Sequence, residues 1–409
     1  MLLLTMYGIN YIAFAIPLFL LFIGVEYLVA RRQGKHLFQF DRSIANLSIG
    51  VAERLTDLFT TSLFYGVYAY LHDHFALFEI KPTAWLWILL LLATDFLWYW
   101  YHRLGHEINL FWGVHVVHHQ SEDFNYTAAT RITVFQAAVR TIFWAVLPVI
   151  GFPPGMIITI LLVHGAYPFF THTQTIGKLG FLEYFLVTPS HHRVHHAINP
   201  RYLDKNYGDM FIIWDKLFGT FQEEDEQPVF GLTKPLNSHS FLWQHFHFLI
   251  EIWYAVQRQH GLINKLKVVF GKPADFDESL RGLAERQFLS KHKQRASTQR
   301  FRGYVLIQLI FSIVLLFFLS LFEHQVAAFP KALTGLFLAL TLVNIGCILE
   351  QRRWVFYLEW VRFSLVAIGL YVYWPHTALI ITGGVVAFIY VFYFRELRRY
   401  YLQTLYGSV

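Results

Sequence analysis

The sequence predicts an all-α, multi-pass transmembrane bundle of about nine spans, with a cytoplasmic helical cap that holds a polyhistidine site for two metal ions. Three observations lead to this fold class. Of the 409 residues, 56% are hydrophobic, which is more apolar surface than one water-soluble core normally buries. The apolar residues fall in runs that approach the roughly 20 residues of a helical span. Eight of the 21 histidines fall in three short clusters.

Nine apolar runs are candidate spans, five before a central polar stretch and four after it. They lie near Tyr7 to Val29, Ile44 to Leu71, Trp85 to Tyr101, Ile132 to Ile150, Gly155 to Phe170, Tyr304 to Phe322, Leu333 to Leu349, Val355 to Trp374 and Ala378 to Phe394. The first run has no basic n-region and no small-residue cleavage site, so we expect a retained anchor and not a cleaved signal peptide.

Basic residues orient the bundle, because cytoplasmic loops are enriched in Lys and Arg. The basic residues that mark such loops are Arg31, Arg32, Lys35, Arg42, Arg103, Arg131, Arg352, Arg353, Arg395, Arg398 and Arg399. The pattern predicts an outer N-terminus and places all three histidine clusters on the cytoplasmic side, in the inner membrane of a bacterium or the endoplasmic reticulum of a eukaryote. It also accounts for the net charge of +6 without nucleic acid as a partner.

The polar stretch from Thr171 to Arg302 is too long for a plain loop and predicts a cap over the bundle. Within it, Phe241 to Phe270 mixes apolar and basic residues, which is typical of a helix in the bilayer interface or of an amphipathic helix packed on the cap. The single cysteine, Cys347, excludes an intrachain disulfide.

The three histidine clusters have helical spacing. The first has imidazoles four residues apart, and the other two offer positions i, i+3 and i+4, so rings can converge on one side of each helix. Their members are His102 and His106, then His115, His118 and His119, then His192, His195 and His196. Buried imidazoles without partners cost free energy, whereas neutral imidazole is a common metal ligand.

The imidazole donors alone do not identify the metal, because imidazole suits zinc, copper, iron and nickel. Eight donors exceed what one tetrahedral zinc ion uses, and the sequence has no H-E-x-x-H motif of a zinc hydrolase. Two metal ions at the mouth of a membrane bundle face lipid, which favours oxygen activation at two irons.

The chain resembles the fatty acid hydroxylase and sterol desaturase superfamily of membrane di-iron enzymes. The resemblance runs from Asp95 to Trp253 and rests on the three clusters in order, on the run Asp95 to His102, and on the stretch Asn206 to Thr220. Segments such as Thr188 to His196 are most similar to the alkylglycerol monooxygenase family. The sequence predicts three parts: N-terminal transmembrane helices at 1–84, a catalytic region similar to fatty acid hydroxylases at 85–300, which comprises spans and the cytoplasmic cap, and a four-span region at 301–409.

The activity implied by the resemblance is oxidative cleavage of the ether bond in O-alkylglycerol lipids, with two Fe ions, O2 as co-substrate and possible use of tetrahydrobiopterin. Hydroxylation of the carbon next to the ether oxygen gives a hemiacetal, which collapses to a fatty aldehyde and glycerol. The implied ligands are the eight clustered histidines and a ninth, His172. His164 matches none of the motifs that carry the resemblance and is interpreted as structural.

The candidate catalytic residues are Asp95, Glu107 and Asn206. Asp95 lies seven residues before His102, on the same helix face, and intramembrane acids tend to be functional. It either orients a ligand ring or only ties helices together. Glu107 matches a family glutamate that helps to hold the pterin, or it forms a solvated salt bridge. Asn206, with Asp215 and His191, is expected to support the third cluster.

Two alternatives stay open. A sibling enzyme of the superfamily would hydroxylate or desaturate a sterol, a carotenoid or a fatty acyl chain from the bilayer, with electrons from a redox partner protein. A polyhistidine metal transporter is the alternative from another class. Few polar residues line the predicted spans, whereas a conduction path needs them.

Overall fold

A computed structural model describes residues 5–6, 9–277, 279–289 and 298–407, and within these ranges the chain is mostly helical. Two strands, β1 (Thr5–Met6) and β2 (Ile9–Asn10), form a short antiparallel pair. The helices are α1 (Ala15–Arg32), α2 (Phe40–Phe75), α3 (Ala84–Glu107), α4 (Asn109–His119), α5 (Tyr126–Ala129), α6 (Gln136–Trp144), α7 (Val146–Ile150), α8 (Pro154–Thr171), α9 (Pro189–His195), α10 (Ile213–Phe218), α11 (Phe241–Gln257), α12 (Leu262–Val269), α13 (Ser279–Phe288), α14 (Gln299–Leu321), α15 (Ala328–Leu349), α16 (Val355–Tyr373), α17 (Thr377–Phe392) and α18 (Phe394–Tyr406).

Among the described residues, six helices are long and apolar enough to cross a membrane. They are Tyr11–Arg32, Ala84–Glu107, Pro154–Thr171, Gln299–Leu321, Ala328–Leu349 and Val355–Tyr373. A seventh is possible if α17 and α18, which meet at 85°, form one span. The chain is therefore a multi-pass helical membrane protein, and the predicted count of nine spans is not confirmed.

Two predicted spans are missing even when α17 and α18 are counted as one span, and these two differ in their chemistry. The run Ile44 to Leu71 falls on α2, which is long enough but carries Glu53, Arg54 and Asp57 in its middle. The run Ile132 to Ile150 becomes the short apolar stretch α6–α7, with a break at Ala145. Pro148 contributes to this break, because it has no N–H for the carbonyl four residues earlier.

The chain divides into two units, and the first consists mainly of Pro17–Asn237 and the helices from Gln244 to Phe288. Its apolar core joins α2, α3, α6 and α8 through buried residues such as Tyr68, Leu90, Trp144 and Ile157. Helix α4 packs against α3 at Gly105, where a Cβ would lie 3.6 Å from the His115 ring. Helix α12 exposes Leu262, Ile263 and Leu266, as a helix in the bilayer interface does.

The second unit contains α14 to α18 and is held by a buried polar cluster. Glu359 accepts hydrogen bonds from Tyr304 and Asn344 and forms an ion pair with Arg362 at 2.7 Å. Charges inside a membrane bundle require such partners. Cys347 is buried and free. The three-part division predicted from the sequence, at 84/85 and 300/301, remains a prediction.

Candidate metal centre

Three helix segments of the first unit bring the histidine clusters together. His102 and His106 lie one turn apart at the end of α3, and the second cluster forms the end of α4. The third lies on α9, which begins at Pro189 directly after the extended residue Thr188. Proline suits the first helical position because the N–H it lacks would have no partner there. The ends of the helices thus present their imidazoles inward.

The nine predicted ligand histidines fall into two groups. The five-histidine group contains His102, His106, His115, His119 and His195. The four-histidine group contains His118, His172, His192 and His196. Within each group the nearest ring nitrogens lie within 4.8 Å of one another, and eight of the nine side chains are at least nine-tenths buried.

The division follows helical geometry. In each H-x2-H-H cluster the residues at i and i+4 share a group, and the residue at i+3 belongs to the other. On a helix, positions i+3 and i+4 point about 100° apart, so neighbouring rings diverge. His118 therefore belongs to a different group from His115 and His119, and His195 belongs to a different group from His192 and His196. Both α4 and α9 contribute to both groups.

Backbone carbonyl groups fix several of the rings. The Nδ1–H of His102 donates to the Tyr207 carbonyl oxygen at 2.8 Å, and that of His195 donates to Lys205 at 2.9 Å. In the four-histidine group, the corresponding carbonyls belong to Arg131, for His118, and to Pro168, for His172. Since a carbonyl can only accept, these neutral rings carry their proton on Nδ1 and a lone pair on Nε2. Backbone atoms therefore set the tautomer of these four rings.

The Nε2 atoms that face one another fit metal ions. His118 and His172 both have Nε2 lone pairs, and these atoms approach to 3.2 Å. Without a cation this arrangement is repulsive. Two nitrogens bound to one ion at 2.0–2.1 Å and about 90° would lie about 3.0 Å apart. The other Nε2 contacts within the groups are 3.0–3.2 Å. The buried Nε2 atoms of His106 and His195 have no hydrogen-bond partner among the described residues.

The electrostatic environment keeps the imidazoles neutral. Burial lowers the pKa of His118 to about 4. Burial, and then repulsion from neighbouring imidazoles, lowers the pKa of His115, His119 and His196 well below the ordinary value. Metal ligation requires this neutral form. The site is therefore preorganised for a cation without a preceding proton loss.

The other predicted site residues have different surroundings. Asp95 is fully buried and contacts no histidine of either group; it accepts from His164 Nε2 at 2.7 Å and from the Trp214 indole at 2.8 Å. Glu107 is half-exposed and pairs with Arg103 at 2.9 Å. Asn206 is buried and binds the backbone of His191 and Gln222.

Sequence reasoning missed several contacts. Nothing in the residue types of Lys205 and Tyr207 marked their carbonyls as partners of ligand rings. His164, interpreted as structural, lies between two buried acids, with Asp209 2.9 Å from its Nδ1. The available signal for these contacts was the stretch Asn206 to Thr220, which is one of the motifs that carry the family resemblance. Asp215 within it accepts from the N–H groups of Tyr207 and Gly208.

Comparison with known proteins identifies the family. The Fatty acid hydroxylase family model matches residues 87–220, which contain all nine histidines. Alkylglycerol monooxygenase from Homo sapiens is 36% identical over 352 residues, which are 84% of this chain and 78% of the human protein. The chain belongs to the alkylglycerol monooxygenase family.

Two further members of the family support this membership. The protein from Danio rerio is 32% identical over 87% of this chain and 81% of its own length. For the protein from Xenopus tropicalis the identity is 32%, with 86% and 80% covered. No solved structure matches the chain significantly. An oxidoreductase function of the monooxygenase type follows from the family, and the resemblance predicted from the histidine clusters is confirmed.

Proposed function

We propose that this protein is an O2-dependent membrane monooxygenase with two iron ions, which hydroxylates the carbon next to the ether oxygen of O-alkylglycerol lipids. The products are a fatty aldehyde and glycerol. The family supports the substrate class, because the relatives that cover most of the chain are alkylglycerol monooxygenases. The observation that carries the metal assignment is the pair of histidine groups with facing Nε2 atoms.

Each histidine group holds one ion in this proposal. When bound, the two irons supply the activation of dioxygen. The chain supplies buried imidazoles, and in four of them a carbonyl holds the Nδ1–H group so that Nε2 is available for the metal. Burial of the rings excludes water from the ligand atoms. Asp95 contributes indirectly, because it holds the chain segment whose carbonyls bind the histidine rings.

The electron donor is proposed to be tetrahydrobiopterin, with Glu107 as a binding residue. Glu107 directly follows His106, and its half-exposed carboxylate can be approached from solvent. Its pairing with Arg103 resembles a surface salt bridge, which contributes little to stability. A redox partner protein is the alternative donor, and an assay with and without the pterin separates the two.

The proposed topology places the histidine groups on the cytoplasmic side, with lipid substrate entering from the bilayer. The basic residues after α1 and after α15 support this orientation. Nine spans require that α17, α2 and Gln136–Ile150 also lie at membrane depth, where the charged residues of α2 would pair with one another. The membrane is then the bacterial inner membrane or the endoplasmic reticulum.

The test combines metal analysis with product identification. Protein reconstituted in lipid nanodiscs should contain two irons per chain and should convert an O-alkylglycerol lipid to fatty aldehyde in the presence of O2 and tetrahydrobiopterin. Sterol, carotenoid and fatty acyl substrates should give no product. Product from one of these instead would favour a sibling activity. Metal flux without oxygen consumption would indicate a transporter and contradict the proposal.

A further inference from the structure

One short segment supports three ligands of the five-histidine group. The segment lies in the loop between α9 and α10, residues 197–212, which we call the α9–α10 loop. The carbonyls of Lys205 and Tyr207 accept the Nδ1–H groups of His195 and His102 at 2.9 and 2.8 Å. The Asp204 carboxylate lies 3.6 Å from Nδ1 of His106, within ion-pair distance.

The backbone of this segment is unusual at Asn206. Its φ of +56° lies in the left-handed region, and Asp204 has a φ of +57°. Side chains other than glycine, asparagine and aspartate rarely adopt this region. Asn206 lies between Lys205 and Tyr207, so its backbone conformation sets the direction of one of their carbonyls relative to the other. With Asn206 in the left-handed region, both carbonyls reach rings of one group.

Asn206 is held in this conformation by its own side chain. Its Nδ2 donates to the carbonyls of His191 at 3.1 Å and Gln222 at 2.8 Å, and its Oδ1 accepts from the Gln222 N–H at 2.8 Å. The residue is completely buried. Three hydrogen bonds to distant backbone are more than a solvent-facing turn needs, and unfavourable backbone conformations persist only where the surroundings determine them.

We propose that Asn206 is a positioning residue for the five-histidine group alone: its left-handed backbone directs the Lys205 and Tyr207 carbonyls onto Nδ1 of His195 and His102, which fixes both rings as Nε2 donors. The inference rests on the proposed two-metal site. The four-histidine group takes its carbonyls from Pro168 and Arg131, outside this loop. Asn206 also binds the His191 carbonyl on α9, which bears histidines of both groups, but it directs carbonyls only onto rings of the five-histidine group. Metal binding at that group should therefore be the one that is weakened.

The experiment measures Co²⁺ binding to the metal-free full-length protein in detergent micelles, by competition with a chelator. Wild type should bind two ions per chain in two phases. His195→Ala and His196→Ala assign the phases to the five- and four-histidine groups. Asn206→Ala should weaken only the phase that His195→Ala removes, by about 10- to 100-fold, as expected for residues that orient ligands. The absorption spectrum of the remaining ion should match that of His195→Ala.

Two more variants complete the test. Asn237→Ala is the matched control, because Asn237 is also left-handed, with a φ of +49°, but is exposed and lies outside both groups. It should leave both phases unchanged. Asn206→Gly tolerates the left-handed backbone, which alanine disfavours, so it should weaken the same phase less. If Asn206→Ala fails to fold, this variant tests whether Asn206 positions the rings of the five-histidine group.

The outcomes separate the two proposals. If wild type binds no stoichiometric metal, the proposed metal site fails. If wild type binds two ions and the Asn206 variants weaken neither phase, or weaken both equally, only the positioning role of Asn206 is wrong.

Discussion

Replacing Asp95 by asparagine tests how this buried acid supports the metal centre. Asp95 is completely buried in α3. Its Oδ1 accepts from His164 at 2.7 Å and from the Met210 N–H at 2.9 Å, and its Oδ2 accepts from the Phe211 N–H at 3.2 Å and the Trp214 indole at 2.8 Å. Since each oxygen accepts two donors, the amide group of asparagine faces two buried donors whichever way it is turned. It leaves one or two of them unpaired, because the His164 ring can switch to its other tautomer and accept.

The expected loss follows from the donors left unpaired. Each buried donor without an acceptor costs about 1–3 kcal/mol, so the free energy of unfolding should fall by about 1–6 kcal/mol in Asp95→Asn. The exposed Asp73 provides the control, and Asp73→Asn should change stability by no more than about 0.5 kcal/mol. Denaturant unfolding in detergent micelles, followed by tryptophan fluorescence, measures both variants.

The same variant separates two roles of Asp95. If the acid acts by tying the α9–α10 loop to α3, metal content at saturating Co²⁺ should be retained while stability falls. Loss of one ion at unchanged stability would refute this reasoning and show that Asp95 orients a ligand ring directly. A double variant with His164→Gln should be less destabilised than the sum of the single variants, because the two side chains share one hydrogen bond.

Three further predictions concern the metal, the pterin and pH. His118→Ala removes one of four donors and should leave one ion per chain by metal analysis, with monooxygenase turnover lost; two ions and full turnover would contradict its role. Glu107→Gln should raise the KM for tetrahydrobiopterin without loss of metal, and an unchanged KM would remove Glu107 from the pterin site. Burial lowers the pKa of His118 to about 4, so the unfolded chain binds more protons between pH 6.5 and 4. Metal-free protein should therefore lose stability as pH falls through this range, whereas constant stability in denaturant titrations would show that the rings are not buried neutral.

The helical spacing of the histidines was the most informative feature of the sequence. The i, i+3 and i+4 pattern predicted convergent rings, and the structure brings all nine histidines into two groups. The division between the groups also follows from helix geometry, since His118 and His119 point about 100° apart. Their role as ligands stays a prediction. His172 came from resemblance, because one histidine after α8 has no spacing to interpret.

Other features were beyond the sequence because they depend on backbone atoms and on tertiary partners. Every residue has a carbonyl, so the partners of His102 and His195 could not be read from residue type. The predicted count of nine spans was not confirmed, again because tertiary partners cannot be read from residue type. Apolar length alone does not distinguish a span from α2, in which Glu53 is buried and pairs with the exposed Arg54.

The two histidine groups differ in what supports them. The five-histidine group takes carbonyls from the α9–α10 loop, which is anchored by the buried side chains of Asp95, Asn206 and Asp215. The four-histidine group takes carbonyls from Pro168 in the last turn of α8 and from Arg131 after α5. Because these supports lie in separate parts of the chain, we expect a change in the loop to perturb the rings of the five-histidine group more than those of the four-histidine group. In the proposed two-metal site, each ion would therefore be positioned by its own backbone segments.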